Sequence, residues 1–453
     1  MAFLLYLTVI ALTYIRIFEA FAPEMVVYRP VLVLSMITLV WTLIRVSSTR
    51  QIAGGARHFL ILFGLICSIA LSLITNGWIG GGLRAVTDFA PSALLFILTV
   101  LNVTSQAKLR ATCIVIVVSI LLAAAGSVAG YHFGFLGHRL LLSQSVAQEG
   151  NNETIDEEET PNVGPAEADT TEDRLVRIRN LGMLSDPNDF AQAIVMVLPF
   201  VWLLWSRGEW LMNLFLVIIP TSFLLYTVYL THSRGALIGL SAILLLGLRK
   251  SLGTLRIVLL VVILVSTAYL ANLSGSRPFS VNEESAGGRL DIWSEGLEML
   301  RAHPLFGVGY GQFVESSESG LTAHNSVVLS LAELGVVGTF FWLALIVVAA
   351  RELQVLVTLS PSINRREAHR LVIALRCSLA GFLACAFFLS RTYVPHLFLM
   401  LGLCAALSYS FYHEDVRFGV RRPVKWLPQS AAALIGCILV LYVVIRFKHA
   451  FGS

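Results

Sequence analysis

The sequence predicts an all-α polytopic membrane protein with about 12–13 transmembrane helices and a large non-cytoplasmic loop that contains an amphipathic helix. Of its 453 residues, 57% are hydrophobic and 13% charged, against about 25% charged in a soluble domain. Mean hydropathy is +0.79, so most of the surface must face lipid. Apolar stretches near the roughly 20 residues that cross about 30 Å of hydrocarbon recur along the chain. Basic residues collect in alternate loops, as the positive-inside bias requires.

The apolar run after Met1 has no basic n-region, so the first segment is expected to stay as a span rather than be cleaved as a signal peptide. Spans are predicted at 2–18, 28–45, 57–75, 85–104, 110–132, 188–205, 212–231, 235–249, 255–272, 324–349, 369–390, 393–412 and 427–446. The first ends on Arg16 and Glu19, and the eighth is short. Cys67, Cys113, Cys377, Cys385, Cys404 and Cys437 all lie in apolar runs without a CxxC pair. They read as small core hydrophobes, and neither a disulfide framework nor a thiolate metal site is expected.

Orientation follows from the loops. One alternate set holds Arg45, Arg50 and Arg57; Lys108 and Arg110; Arg207; Arg249, Lys250 and Arg256; Arg351, Arg365, Arg366 and Arg370; and Arg417, Arg421, Arg422 and Lys425. These loops are short and are predicted to be cytoplasmic. The opposite set contains two long loops, which divide the chain into helices within 1–132, an insert at 133–187, helices within 188–272, a loop at 273–323 and helices within 324–453.

The run Glu149 to Asp173 in the first long loop holds ten carboxylates among Gly, Pro and Thr. It reads as a disordered, solvated insert. In the second, Leu290, Trp293, Leu297 and Leu300 recur at helical spacing while Asp291, Ser294, Glu298 and Arg301 take the other face. An amphipathic helix that lies on the membrane or caps the bundle is expected, with packing as the role of its apolar stripe.

Four segments assigned to this same non-cytoplasmic side carry unusual residues. Asp186-Pro187-Asn188-Asp189 enters the sixth span, where Asp before Pro suits a helix start. Thr231-His232-Ser233-Arg234-Gly235 makes the turn between the seventh and eighth spans, and Arg234 there runs against the positive-inside bias. Gly288-Arg289 opens the loop helix, and Thr322-Ala323-His324-Asn325 precedes the run from Val327. At a helix N-terminus the dipole disfavours imidazolium, so a neutral His324 could accept a proton. A snorkelling Arg234 and a structural His324 are the alternatives.

Upstream, His303-Pro304-Leu305-Phe306-Gly307-Val308-Gly309-Tyr310-Gly311 places glycines at alternate positions, which allows close backbone approach or a sharp bend. It lacks the strand–turn–helix setting of a dinucleotide loop. Arg391 falls on the same outer side. Arg376, inside a span, needs a partner, for which Glu333 is the candidate.

This set suits transfer from a lipid-linked pyrophosphate. Guanidinium groups bind phosphate bidentately and stay charged, so two or three can stabilise a departing pyrophosphate. A neutral histidine can take the proton of an attacking sugar hydroxyl. His303 and His324 are isolated and form no HxxxH or HxH spacing, so no metal site and no cofactor are expected.

In order along the chain, Asp186-Pro187-Asn188-Asp189-Phe190-Ala191, Ser233-Arg234-Gly235, Arg289 with Trp293, His303 to Gly309, Ala323-His324-Asn325 and Glu333-Leu334-Gly335 resemble the O-antigen ligase and Wzy-polymerase superfamily of bacterial surface-polysaccharide enzymes. The resemblance covers about residues 180–345. It implies an inverting, metal-independent glycosyltransferase of the GT-C type in the inner membrane, acting at the periplasmic face. The donor would be a glycan on undecaprenyl pyrophosphate, and the acceptor a lipid A-core sugar in a ligase or a second lipid-linked unit in a polymerase. By that analogy Arg234 and Arg289 bind the donor pyrophosphate and His324 activates the acceptor. Arg391, Asn188, Asn325 and Trp293 are further expected substrate contacts. Membrane lipids are expected neighbours, and nucleic acid is not a partner.

The acidic insert lies outside the family pattern, and thirteen spans are one more than the twelve the resemblance implies. The ligase is the leading reading, with the polymerase beside it. A flippase or transporter would instead call for charges near the bilayer midplane and internal repeats. A scaffold would leave the outer arginines and histidine without a use.

Overall fold

In hydrocarbon no water is present to bond exposed backbone groups, so an apolar run must close its own N–H and C=O groups into a helix. The computed structural model describes residues 1–49, 56–145, 174–253, 255–256, 259, 262, 286–359, 366–414 and 425–451. Its first half begins with α1 (Ala2–Ile15), α2 (Ile17–Phe21), α3 (Pro30–Thr49) and α4 (Ala56–Ile74). Next come α5 (Ile79–Asn102), α6 (Gln106–Phe133) and α7 (Pro187–Val201). There follow α8 (Trp210–Thr231), which contains a π-helical stretch at Leu214–Ile218, and α9 (Arg234–Leu252). The second half has α10 (Ala286–Ala302), α11 (Phe313–Ser316), α12 (Ser326–Leu359), α13 (Arg366–Ala386), α14 (Pro395–Glu414) and α15 (Trp426–Phe451).

Among the described residues nine helices are long and apolar enough to cross a membrane, and Ala2–Ile15, Arg234–Gly247 and Pro395–Phe411 are shorter apolar helices. Twelve of the thirteen predicted spans therefore coincide with a helix. The other, 255–272, lies almost wholly outside the described residues.

Several boundaries differ from the prediction: α5 begins at Ile79 and not at 85, and α12 runs to Leu359 and not 349, which places Arg351 in a helix and not in a loop. Two further differences have a local cause. The span predicted at 2–18 stops at Ile15 because Arg16 takes a left-handed conformation, φ 58°, which caps α1 and turns the chain. The loop predicted at 133–187 is not all irregular. Its two flanks pair as antiparallel strands, β1 (Leu141–Ser145) with β2 (Arg174–Ile178), Leu141 opposite Ile178. The acidic run at 149–173 lies outside the described residues.

Helix α7 is the centre of the bundle. It packs against α6, α8, α9 and α13, and every residue in it except Asn188 is buried. Its polar side chains Asp189 and Gln192 are buried and would be costly against lipid, which favours a place inside protein. Helix α14 packs on α5, and α12 bridges α4 to α13, α14 and α15.

Helix α12 is broken at Gly335, whose φ of 61° and ψ of −163° are not helical. The loop His303–Gly311 enters the break and replaces the missing helical bonds. Val336 and Val337 N–H donate to the Pro304 and Leu305 carbonyls at 2.9 and 3.1 Å, while the Ala332 and Glu333 carbonyls accept from Val308 and Gly309 N–H at 2.9 and 3.1 Å. A break at membrane depth is tolerated only where protein satisfies the freed groups, and here all four are satisfied by one loop. Of the alternate glycines predicted to allow close backbone approach, Gly307 is the one that meets backbone, at Ala332 and Glu333, and nothing lies within 4 Å of a Cβ built on Gly311.

Helix α10 is amphipathic as predicted. Ile292, Trp293, Leu297, Met299 and Leu300 are buried in a cluster with Val328, Leu331 and Ala332 of α12 and Leu441 and Ile445 of α15. The Trp293 ring meets Phe387 edge-on at 5.8 Å, and its indole N–H donates to the Ala323 carbonyl at 3.0 Å. Trp293→Ala should cost about 3–5 kcal/mol of this docking. Limited proteolysis of the purified protein checks it: cleavage within 286–302 should accelerate in the variant, and equal protection would contradict the packing role.

Candidate active site at one end of the bundle

The site is assembled by the ends of α7, α8, α12 and α13, and each piece is held by a hydrogen bond that the local sequence dictates. Asp186 caps α7, accepting from Asn188 N–H at 2.6 Å with Pro187 at the first helical position. This orients Asn188, whose Oδ1 accepts from Arg177 Nη2 at 3.1 Å. Arg177 comes from β2, is itself buried, and gives its Nε–H to the Thr231 carbonyl at 2.8 Å. One guanidinium thus clamps the start of α7 to the end of α8, three residues before Arg234.

The other face of α7 holds the next piece. Asp189 is buried and forms an ion pair with Arg391. Arg391 in turn sits on the start of α12, because its backbone N–H donates to Ser326 Oγ at 2.8 Å. The Ser326 hydroxyl lies 2.9 and 2.6 Å from the Ala386 and Leu389 carbonyls at the end of α13, and Thr392 Oγ1 donates to the Ser326 carbonyl at 2.8 Å. Thr322 Oγ1 donates to Ser390 Oγ, also at 2.8 Å. A small hydroxyl at 326 is what lets two chain ends share so little space.

His324 stands just outside α12, as predicted, with Asn325 as the N-cap. Asn325 Oδ1 accepts from Val327 and Val328 N–H at 2.8 and 3.1 Å. His324 is half-buried with φ 45°, a left-handed conformation that His tolerates better than most residues. Arg289, half-buried, lies in the first turns of α10, one turn ahead of Trp293. Through the Trp293–Ala323 bond that helix is attached to the residue before His324. Arg234 is exposed and opens α9, whose Gly235 carbonyl accepts from Cys385 Sγ at 3.4 Å. The segments of Arg234, Arg289, His324 and Arg391 are therefore linked, directly or through one intermediate residue, to the single stretch 385–392.

Within this frame the side-chain oxygens of Asn188 and Asn325 and the Trp293 indole N–H are engaged by the protein, through Arg177, the cap and Ala323 in turn, while Asn325 Nδ2 is buried with no hydrogen-bond partner. Asn325 is fully buried. Arg177 was not anticipated. The run Arg174-Leu175-Val176-Arg177-Ile178-Arg179 is only a partial strand signal, because Leu175 and Val176 break the polar–apolar alternation, and it sits at the edge of an acidic run.

The expected pair between Glu333 and Arg376 does not form. Both lie in spans, but depth alone does not fix the direction a side chain faces. Glu333 Oε1 accepts from Phe313 N–H at 3.3 Å beside Tyr310 and Tyr393, whose rings are 4.6 Å apart. Burial pushes both phenols well above their ordinary range, and the Glu333 carboxylate pushes the same way. Both stay protonated and available as donors at physiological pH. Among the described residues, no group of three or more His, Cys, Asp or Glu side chains could hold a metal ion.

No curated protein matches the chain. The family model described as O-Antigen ligase matches residues 219–343, a stretch that contains Arg234, Arg289, Trp293, the glycine loop, His324 and the break at Gly335. That stretch, about a quarter of the chain, is therefore similar to the O-antigen ligase family, and a polytopic helical fold carries it.

Proposed function

We propose that this protein is an O-antigen ligase that transfers a glycan from undecaprenyl pyrophosphate to a lipid A-core sugar at the periplasmic face of the inner membrane. One observation carries the reading: the segments of Arg234, Arg289 and His324 are each tied to the stretch 385–392 that carries Arg391, through Gly235 and Cys385, Trp293 and Phe387, and Ser326 and Leu389.

In this mechanism the acceptor hydroxyl oxygen bonds to the anomeric carbon as the bond from that carbon to the pyrophosphate oxygen breaks. The electron pair leaves with the pyrophosphate, where Arg234 and Arg289 meet the developing charge. The hydroxyl proton passes to His324, which stands beside the N-terminus of α12. In-line attack inverts the anomeric centre. Arg391 shares its guanidinium between Asp189 and the donor. The break in α12 supports chemistry over transport: in a transporter such half-helix ends face the substrate, whereas here the loop 303–309 occupies them.

The test is His324→Ala alongside His324→Asn, which keeps a residue suited to the left-handed backbone but accepts no proton at neutral pH. Both variants should insert normally and lose transfer by about 10²–10⁴-fold, so that gels of the cell's lipopolysaccharide lack O-antigen on lipid A core. Single units still attached, with long chains gone, would assign the protein as a polymerase. Wild-type lipopolysaccharide would remove His324 from the mechanism. Arg234→Lys should also fail, because a point-charge ammonium cannot replace a bidentate fork.

A further inference from the structure

Arg177 lies outside the motifs that carry the resemblance, in the ribbon that flanks the acidic insert, yet it bonds two of the elements that assemble the site. The ribbon is anchored on the C-terminal side of Arg177. Leu140 and Ile178 are buried, and Arg179 N–H donates to the Leu140 carbonyl at 2.9 Å. Ser127 Oγ of α6 donates to the Arg179 carbonyl at 2.8 Å, and Asn180 Nδ2 donates to the Ala123 carbonyl, also in α6, at 2.9 Å. Across the ribbon Arg177 is paired with Leu142 of β1. A long side chain on a strand fixed in this way can hold other groups in place.

The groups it holds are both at helix ends. The Thr231 carbonyl is among the last four of α8, which have no partner within the helix. His232, at φ 49°, turns the chain and gives its N–H to the Tyr229 carbonyl at 3.0 Å. The Thr231 carbonyl is left to Arg177 Nε at 2.8 Å, a cation where the helix dipole favours one. At its other end the guanidinium donates from Nη2 to Asn188 Oδ1 at 3.1 Å, in the first turn of α7, where Asp186 and Asp189 offset its charge. A planar fork with separate Nε and Nη donors suits two such acceptors, and a point-charge ammonium does not.

Arg234 opens α9 three residues after Thr231. On its far side α9 is fixed to α13. The Gly235 carbonyl accepts from Cys385 Sγ at 3.4 Å, and a Cβ on Gly239 would lie 2.5 Å from Cys385 Sγ and 3.0 Å from the Gly381 carbonyl. On its near side the turn is held at Thr231 by Arg177. Arg234 itself is exposed, so the place of its guanidinium follows from a turn pinned at both ends.

We infer that Arg177 is a positioning residue of the transfer reaction: it braces the turn 231–234 so that Arg234 faces the donor pyrophosphate, and touches no substrate itself. The donor rests on the transferase reading above; the bracing of the turn rests on the geometry alone.

The test uses the full-length protein in phosphatidylcholine nanodiscs, with undecaprenyl pyrophosphate as the probe. In Arg177→Gln, amide hydrogen exchange across 230–236 should speed up at least about tenfold, while exchange in α15 keeps the wild-type rate. The dissociation constant of the probe should rise at least about tenfold, since a misplacement of about 1 Å can cost about 100-fold. In an Arg234→Ala background the same substitution should change it less than about twofold, because a residue that acts through Arg234 has nothing left to place. Arg177→Lys is the milder variant: it keeps the charge without the fork, and should match both changes to within about threefold. Wild-type exchange in Arg177→Gln and Arg177→Lys overturns the proposal, and so does faster exchange with wild-type probe binding. Wild-type binding in Arg177→Lys alone would assign the effect to charge and overturn it as well. Equal loss of binding in both backgrounds would show that Arg177 holds the site in general, against a role through Arg234. If Arg234→Ala by itself binds the probe like wild type, the donor reading fails, whereas faster exchange at the turn leaves the brace standing.

Discussion

Gly335→Ala is expected to be among the most damaging single substitutions in the chain, costing more than about 4 kcal/mol, in the range that marks a broken structural mechanism. Two effects add. At φ 61° an alanine is strained by itself, and its Cβ would lie 2.5 Å from the Leu305 carbonyl carbon and oxygen and 2.6 Å from Phe306 N. The neighbouring atoms are backbone and cannot rotate away. They are also held in place by the four hydrogen bonds that cross the break, so relaxing the clash would orphan buried backbone groups at membrane depth. Gly307→Ala approaches the same crossing from the other chain, against the Glu333 carbonyl at φ 72°, and should fail equally. Gly436→Ala in α15, where nothing lies within 4 Å of the new methyl, should be neutral or slightly stabilising. Thermal unfolding of the purified proteins in detergent decides it, and a wild-type melting temperature for Gly335→Ala would mean that the loop does not fill the helix break.

That crossing also shows how far the sequence could be read. The glycines at 307, 309 and 311 signalled close backbone approach, a local property of a residue without a Cβ, whereas Gly335 carried no such signal and Gly311 meets nothing within 4 Å of a built Cβ. What approached them was not local: 304–309 pairs with 332–337, and no periodicity in either stretch names the other. Hydropathy found twelve helices because lipid imposes a length and an apolar composition on every span. It failed at residue 16, where an arginine in a left-handed conformation ends α1 early, since sequence rarely signals positive φ outside glycine. The alternation of loops assigned Arg234, Arg289, His324 and Arg391 to one side, and the structure joins their segments at the stretch 385–392. It could not supply azimuth, so Glu333 was matched to Arg376 instead of to Phe313 N–H and the two tyrosines. Arg177 was missed because a two-stranded ribbon is visible only once both flanks of the acidic insert are seen to pair.

Arg391→Ala should destabilise the protein by about 3–5 kcal/mol, because it strands the Asp189 carboxylate in the bundle without its counter-charge. Asp189→Asn should be milder, since Arg391 is partly accessible and can turn to solvent. The informative variant is the double substitution Asp189→Asn with Arg391→Gln. Removing both charges removes the desolvation cost along with the attraction, so most of the stability should return. The double-mutant cycle should then give a coupling of about 1–3 kcal/mol. If the guanidinium also meets the donor pyrophosphate, this refolded double variant should still transfer glycan at least about tenfold more slowly than wild type, with full activity restored in neither single nor double. Two measurements therefore separate two roles. A double variant as unstable as Arg391→Ala would show that the ion pair is not what holds the end of α13 to α7. A stable double variant with wild-type transfer would confine Arg391 to holding the site together, and leave phosphate binding to Arg234 and Arg289.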